Sequence, residues 1–240
     1  MLDKKPRINK NTIMISKDEI DNLNAQELTI LATIRYMFIP KYKSNKEYDF
    51  SLKDVKNIIS NNNSISKDLN DKLSKCLKKF SENHFISKGK NNRYIIKSDS
   101  LLINRDVLYV ELTREEFETI FQSNSNKVSN SIKLCGYFIN VLSTIDINKS
   151  YGYYSMDKLA EKCGIGKRTV PYYNMQLEKL NLISIVRTKI HDDNTNKFIS
   201  LNNVYYKPCN HDYVINPIME YINEIKKTKK KKMKRQQRLM

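Results

Sequence analysis

SMDKLAEKCGIGKRTVPYYNMQLEKLNLI, residues 155–183, is the stretch from which the rest of the chain can be read. Ser155 is placed to cap a helix. Leu159, Cys163, Ile165 and Tyr173 fall where two short helices would share a core, and Val170, Tyr173, Leu177 and Leu180 form one stripe on the second. Ala160 is small where the helices touch. Gly164 sits at the turn between them, where a positive φ is needed. Val170 follows six residues later and packs the second helix on the first. Leu182 and Ile183 then open an apolar strand.

The stretch resembles the helix-turn-helix of winged-helix DNA-binding proteins. In such a motif the second helix enters the major groove and presents side chains to base edges. The resemblance implies that Lys167, Arg168 and Thr169 are exposed at the start of that helix, with Tyr172, Asn174 and Gln176 further along its outer surface. Arg168 suits guanine or phosphate, and Thr169 with the helix N-terminus suits phosphate. Pro171 departs from the pattern. In the first turn proline is tolerated; deeper, it removes a backbone bond and kinks the helix.

Working outward, the strand at 182–186 is expected to turn through His191–Asn194 and return at Phe198–Leu201, a hairpin whose Arg187 and Lys189 would reach flanking phosphates. Upstream, Tyr154-Ser155-Met156-Asp157-Lys158-Leu159 matches Phe50-Ser51-Leu52-Lys53-Asp54-Val55. The match extends. Ile13–Ile20 and Val110–Phe117 each read as a short strand, then a Ser or Thr that caps a helix with acids in its first turn. An apolar helix follows each, Ala25–Phe38 and Asn130–Ser143. In the first copy Ile65, Leu69, Leu73, Cys76, Leu77 and Phe80 form the stripe of the later helix. A hairpin from Phe85 to Ile96 closes it, with Lys88, Lys90 and Arg93 as its candidate DNA contacts. That copy lacks the Ala–Gly pair and carries Lys67, Lys72, Lys75, Lys78 and Lys79 on its second helix, which read equally as DNA contacts or as a solvated face.

The expected fold is therefore α+β and helix-rich, with two winged helix-turn-helix domains in tandem and a basic C-terminal helix or tail. Residues 1–11 form a basic N-terminal arm, 12–104 the N-terminal winged helix, 105–210 the C-terminal one, and 211–240 an amphipathic helix (Ile218, Tyr221, Ile222, Ile225) and basic tail. The 240 residues suffice for two modest domains.

The net charge is +17, and nine Lys/Arg with no acid lie between Lys226 and Arg238. Such a balance suits a polyanion, nucleic acid first and membrane surface second, although a Lys-rich genome produces it too. Lys229, Lys230, Lys231, Lys232, Lys234 and Arg235 are expected to neutralise phosphates without sequence preference; otherwise the tail is a solubilising end.

Catalytic motifs are not found. Glu161 stands where a Walker A loop ending at Gly166-Lys167 needs its first glycine. His84, His191 and His211 are isolated, without the His-hydrophobe-His pair of rolling-circle nicking enzymes. Cys209 and His211 lack a partner pair for metal, and Cys76, Cys135, Cys163 and Cys209 are too dispersed for a disulfide framework. The expectation is a protein that is not an enzyme, with no cofactor and no metal. No apolar run is long enough for a transmembrane helix, and none follows the basic N-terminus as in a secretory signal, so the expected location is cytoplasmic, without membrane contact.

The arrangement over roughly residues 12–206 resembles the two-winged-helix plasmid replication initiators; phage replication-organiser proteins are similar in the strand-plus-acidic-helix lead-in. The resemblance implies binding to origin repeats through residues 155–180, help in opening AT-rich DNA, a homodimer formed mainly by the N-terminal domain, and recruitment of host replication proteins. The alternatives are a winged-helix transcriptional regulator and, in another class, a non-catalytic adaptor using its winged helices for protein contacts.

Overall fold

Ser16 ends the first strand and begins the first helix at once. Its Oγ accepts from the Glu19 amide at 3.2 Å, and the Glu19 carboxylate accepts from the Ser16 amide at 2.8 Å. Thr113 and Glu116 repeat this capping box at 3.1 and 2.7 Å. The strands before the two boxes are β1 (Thr12–Ser16) and a later strand at Tyr109–Thr113; the helices after them are α1 (Lys17–Asn22) and a later one at Arg114–Gln122.

The computed structural model describes residues 11–43, 45–60, 64–101, 103, 107–122, 127–187, 189–192, 197–200 and 202–237. The fold is α+β and helix-rich, with nine α-helices and four small sheets among the described residues. It divides into two compact units, residues 1–143 and 144–240.

In the first unit, β1 and α1 are followed by α2 (Ala25–Phe38), β2 (Glu47–Ser51), α3 (Leu52–Ser60), α4 (Lys67–Glu82), β3 (Ser87–Lys88), β4 (Arg93–Lys97), β5 (Tyr109–Thr113), α5 (Arg114–Gln122) and α6 (Val128–Leu142). β1 pairs antiparallel with β5, from Thr12 opposite Thr113 to Ser16 opposite Tyr109. The Lys17 amide donates to Leu108 O at 2.7 Å, and the Arg114 amide donates to Asn11 O at 2.9 Å. One bond is thus made twice with the roles exchanged, which marks a local twofold relation between the two lead-in segments.

The helices behind that ribbon follow the same relation. α2 and α6 are buried on nearly every side, and the polar side chains that α2 buries, Glu27, Thr29, Thr33 and Arg35, are hydrogen-bonded. Gly136 of α6 lies against the start of α2, where an added Cβ would stand 2.0 Å from Ala25 O. Thr29 Oγ1 lies 2.7 Å from Ile132 O. The numbers run in opposite directions along the two helices, so they cross antiparallel. Arg35, fully buried on α2, ties this pair to the first strand and helix. Its Nη1 donates to Met14 O and Glu19 Oε2, and its Nη2 to Glu19 Oε1, all at 2.7 Å.

α2, β2, α3, α4, β3 and β4 run helix, strand, helix, helix, strand, strand, with sheet order β2-β4-β3. Ser51 and Asp54 form a further capping box at the start of α3. Asn91 and Asn92 take positive φ, 54° and 57°, in the tight turn between β3 and β4.

The second unit contains β6 (Tyr151–Tyr154), α7 (Met156–Cys163), α8 (Thr169–Lys179), β7 (Ser184–Val186), β8 (Lys189–Asp192), β9 (Lys197–Ser200), β10 (Asn203–Tyr206) and α9 (His211–Gln237). Its three-stranded sheet has the order β6-β10-β7, the same 1-3-2 pattern as the first unit. The expected hairpin is corrected here. His191 and Asp192 lie in strand β8, which pairs with β9, and the strand returning into the sheet is Asn203–Tyr206. Asp193, Asn194 and Leu201 lie outside the described residues. The helix expected after Pro217 starts earlier, at His211. Pro217 is exposed within it, so the carbonyl it cannot satisfy, that of Tyr213, is left on the solvent side. Val214, Ile218 and Ile222 of α9 pack on Val204 and Tyr206.

The division into units at 143/144 and the sequence boundary at 104/105 do not coincide. β5, α5 and α6 belong to the second copy by sequence, yet they pack with β1 and α2 of the first.

Candidate nucleic-acid interface

α7 ends where Gly164 reaches φ +61°. The Gly164 amide donates to Glu161 O at 3.1 Å and the Ile165 amide to Ala160 O at 3.0 Å, the paired bonds of a Schellman cap. Ser155 Oγ caps the other end through the Lys158 amide. The linking turn, Ile165–Arg168, carries Lys167 and Arg168, both exposed. The second helix begins at Thr169, so Pro171 is its third residue. The amide it lacks is one of those a helix leaves unpaired at its start, and the Thr169 and Val170 amides close the turn on Gly166 O and Lys167 O. The proline therefore neither kinks α8 nor costs it a bond.

Val170, Tyr173 and Leu177 are buried along the inner side of α8. Asn174 joins them, which corrects its expected place on the outer surface. It is 1% exposed, and its Nδ2 donates to Tyr205 Oη at 3.3 Å, a hydroxyl that Asn203 Nδ2 also approaches at 3.3 Å. Its position was visible in the spacing: 174 is four after Val170 and three before Leu177, hence on the inner stripe. Gln176 is half-buried. The outer stripe is Arg168, Tyr172, Met175 and Lys179, with Tyr172 42% and Met175 41% exposed. Met175 was missed because its residue type suggests a core, although it stands three positions from Tyr172.

The cations around α8 differ in how they are held. Lys167 Nζ lies 2.6 Å from Asp157 Oδ1, in a pair both of whose members are well exposed. Arg187 is bidentate on Glu178 of α8, with Nη1 2.9 Å from Oε1. The hydrogen bonds to Glu178 raise its already high pKa further. That contact fixes the base of the hairpin against α8. Arg168 and Lys189 are exposed, and among the described residues neither makes an ion pair. Of the first unit's candidates, Lys88 and Lys90 are exposed on the hairpin, whereas Arg93 is held by Asp49 and lies 3.9 Å from Asp54 Oδ2. On α4, Lys72 pairs with Asp68, Lys78 with Glu82, and Lys79 with the buried Glu27.

Residues 144–225 carry ten Lys/Arg against nine Asp/Glu, so nearly all the positive charge of the second half lies in the run from Lys226 to Arg238. Through Gln237 that run continues α9, which is anchored by Ile218 and Ile222. The side chains of Lys230, Lys231, Lys232, Lys234 and Arg235 lie outside those described; Lys229 is exposed.

Among the described residues, no three His, Cys, Asp or Glu side chains come together as a metal-ligand set, and no helix is long and apolar enough to cross a membrane. Cys209 is exposed, and His211 Nδ1 lies 2.8 Å from Tyr206 Oη. No protein-family model matches the chain, and a search of curated proteins finds no match.

Proposed function

We propose that the chain is a sequence-specific double-stranded DNA-binding protein built from two winged helix-turn-helix copies, and that it acts by binding rather than catalysis in the initiation of plasmid or phage replication. The observation that carries the DNA-binding reading is the outer side of α8. A helix following a Gly164 Schellman turn presents Arg168, Tyr172, Met175 and Lys179, and strands β7 and β10, with the hairpin β8–β9 between them, follow it and complete a sheet of order β6-β10-β7. The 1-3-2 strand order of both sheets, and a helix, strand, helix, helix, strand order that the second copy extends with the hairpin β8–β9 before its last sheet strand, support the tandem winged-helix reading. The replication role rests on the architectural resemblance, which also suggests a second copy of the chain and host replication proteins as partners.

The division of labour follows from the charges. α8 selects the site. The basic end of α9 attracts DNA of any sequence through its phosphates. The test is selection of bound duplexes from random and native flanking DNA at near-physiological salt, followed by Arg168→Ala on the enriched site. Enrichment of one motif is expected, with direct repeats of it near the gene supporting initiation. Arg168→Ala should weaken that site by about 1–3 kcal/mol if Arg168 reads a base. An unenriched pool would contradict the proposal; an unchanged preference between sites would remove Arg168 from readout.

A further inference from the structure

The outer side of α8 is poor in the groups that usually read bases by hydrogen bonding. Asn174, which could pair bidentately with adenine, is turned inward onto Tyr205. Gln176 sits half-buried at the margin. What stands outward between two cations, Arg168 and Lys179, is a tyrosine ring and a methionine side chain, both with more than a third of their surface exposed. Protein surfaces carry single exposed apolar residues as a matter of course. Here two of them occupy adjacent positions of one helical stripe, at i and i+3, with cations at i−4 and i+7.

Base edges in the major groove offer one apolar group, the 5-methyl of thymine. Residues three apart on a helix are about 4.5 Å apart along its axis, close to the roughly 3.4 Å rise between base pairs. Tyr172 and Met175 therefore suit methyl groups on neighbouring base pairs. Arg168 and Lys179, about 16 Å apart along the axis, reach the phosphates or purine edges to either side. A thioether is polarizable and adjusts its three torsions to a methyl group, which favours Met175 for this contact.

We infer that the second unit selects thymine-bearing duplex through Tyr172 and Met175, reading the 5-methyl groups of adjacent thymines. The inference rests on the DNA-binding reading above, and charge argues for that occupant: the same unit carries nine Lys/Arg and no acid from Lys226 to Arg238.

The test uses the full chain and the duplex enriched from a random library. Each thymine is replaced in turn by deoxyuridine, which removes only the methyl group, and affinities are compared by fluorescence anisotropy. Loss of about fourfold at each of two adjacent steps is expected, the size of one buried methyl. In Met175→Ala one of those losses should disappear, and in Tyr172→Ala the other, since a methyl without its partner has nothing to lose. Both positions are exposed, so the variants keep the fold; far-ultraviolet circular dichroism checks this.

Equal affinity for thymine and deoxyuridine at every step would overturn the inference while leaving specific DNA binding in place. An enriched motif without adjacent thymines would do the same. A chain that enriches no motif would instead remove the DNA-binding reading and this inference with it, leaving the Tyr172–Met175 stripe as a surface for a protein partner.

Discussion

In the first copy the hairpin arginine, Arg93, is held between Asp49 and Asp54, and three lysines of α4 are paired with Asp68, Glu82 and Glu27. In the second copy Arg168, at the start of α8, and Lys189, in β8, stand exposed, and Arg187 braces α8 through Glu178. Both run helix, strand, helix, helix, strand and a returning sheet strand, with the hairpin β8–β9 inserted before that last strand in the second. In the first, cations close on the protein's own carboxylates; in the second, Arg187 is paired with Glu178, and Arg168 makes no ion pair among the described residues. Exposed pairs are individually worth little, so what this arrangement changes is availability rather than stability. The first copy also supplies β1 and α2 to the packed centre with β5 and α6, which suits a structural role, whereas the second presents a helix.

The glycines sharpen that contrast most. Gly136→Ala places a methyl 2.0 Å from a main-chain carbonyl between α2 and α6, with no flexible neighbour to yield. Loss of roughly 3 kcal/mol or more is expected, enough to unfold a marginal unit. Gly164→Ala meets open space and carries only the strain of φ +61°, about 1–2 kcal/mol. Urea unfolding of the two variants should rank them so; the reverse order would mean the α2–α6 crossing is not as close as described.

The Arg35–Glu19 pair gives the next effect. Burial by itself pushes the Glu19 carboxyl up, but the hydrogen bonds and charge of Arg35, helped by Ser16, outweigh it and hold Glu19 below the usual carboxylate value. A carboxyl whose folded pKa lies below its unfolded one contributes stability above about pH 4.3. That contribution fades as pH falls from there through the folded value. Arg35→Met should cost roughly 3 kcal/mol near neutrality by orphaning Glu19. It should also flatten the acid limb of a stability-versus-pH curve. An unaltered acid limb would show that the pair is not coupled to folding.

Deleting residues 226–240 is expected to weaken binding to every duplex alike and to flatten the salt dependence, by about 0.9 in log–log slope for each phosphate no longer neutralised. A loss confined to one sequence would place readout in the tail and undo the contrast between helix and tail. The smallest effect concerns the thiols. Burial pushes Cys76 up to about 11 and Cys135 and Cys163 up to about 12, while Cys209 is exposed. A thiol-reactive dye at pH 8 should modify one cysteine quickly and leave binding unchanged. Rapid modification of Cys163 would mean that α7 does not pack as described.

Local chemistry was legible in the sequence. Ser16, Thr113, Ser51 and Ser155 cap helices where their hydroxyls and following acids suggest, the first long helix runs from Ala25 to Phe38 as its periodicity indicates, and Gly164 takes the positive φ its position demands. The pairing of β1 with β5 was not legible, because nothing within either strand specifies a partner a hundred residues away. β10 was missed because all four of its residues are buried, between α9 on one side and the Asn174–Tyr205 contact on the other, so it shows no alternation. At the candidate site, Arg168 and Tyr172 are exposed on α8 and the turn before it, as expected from the sequence. Asn174 is buried instead, because its helical phase, four residues after Val170 and three before Leu177, outweighs its polarity.

The comparison of copies is tested most directly by two paired variants, Arg168→Ala with Lys189→Ala, and Lys88→Ala with Lys90→Ala, each titrated against the enriched duplex and against an unrelated one. The account predicts that the first pair lowers affinity for the enriched duplex by roughly tenfold or more and collapses the ratio between duplexes, while the second lowers both slightly and leaves the ratio intact. A ratio that collapses with the hairpin lysines of the first copy and survives the loss of Arg168 and Lys189 would contradict it.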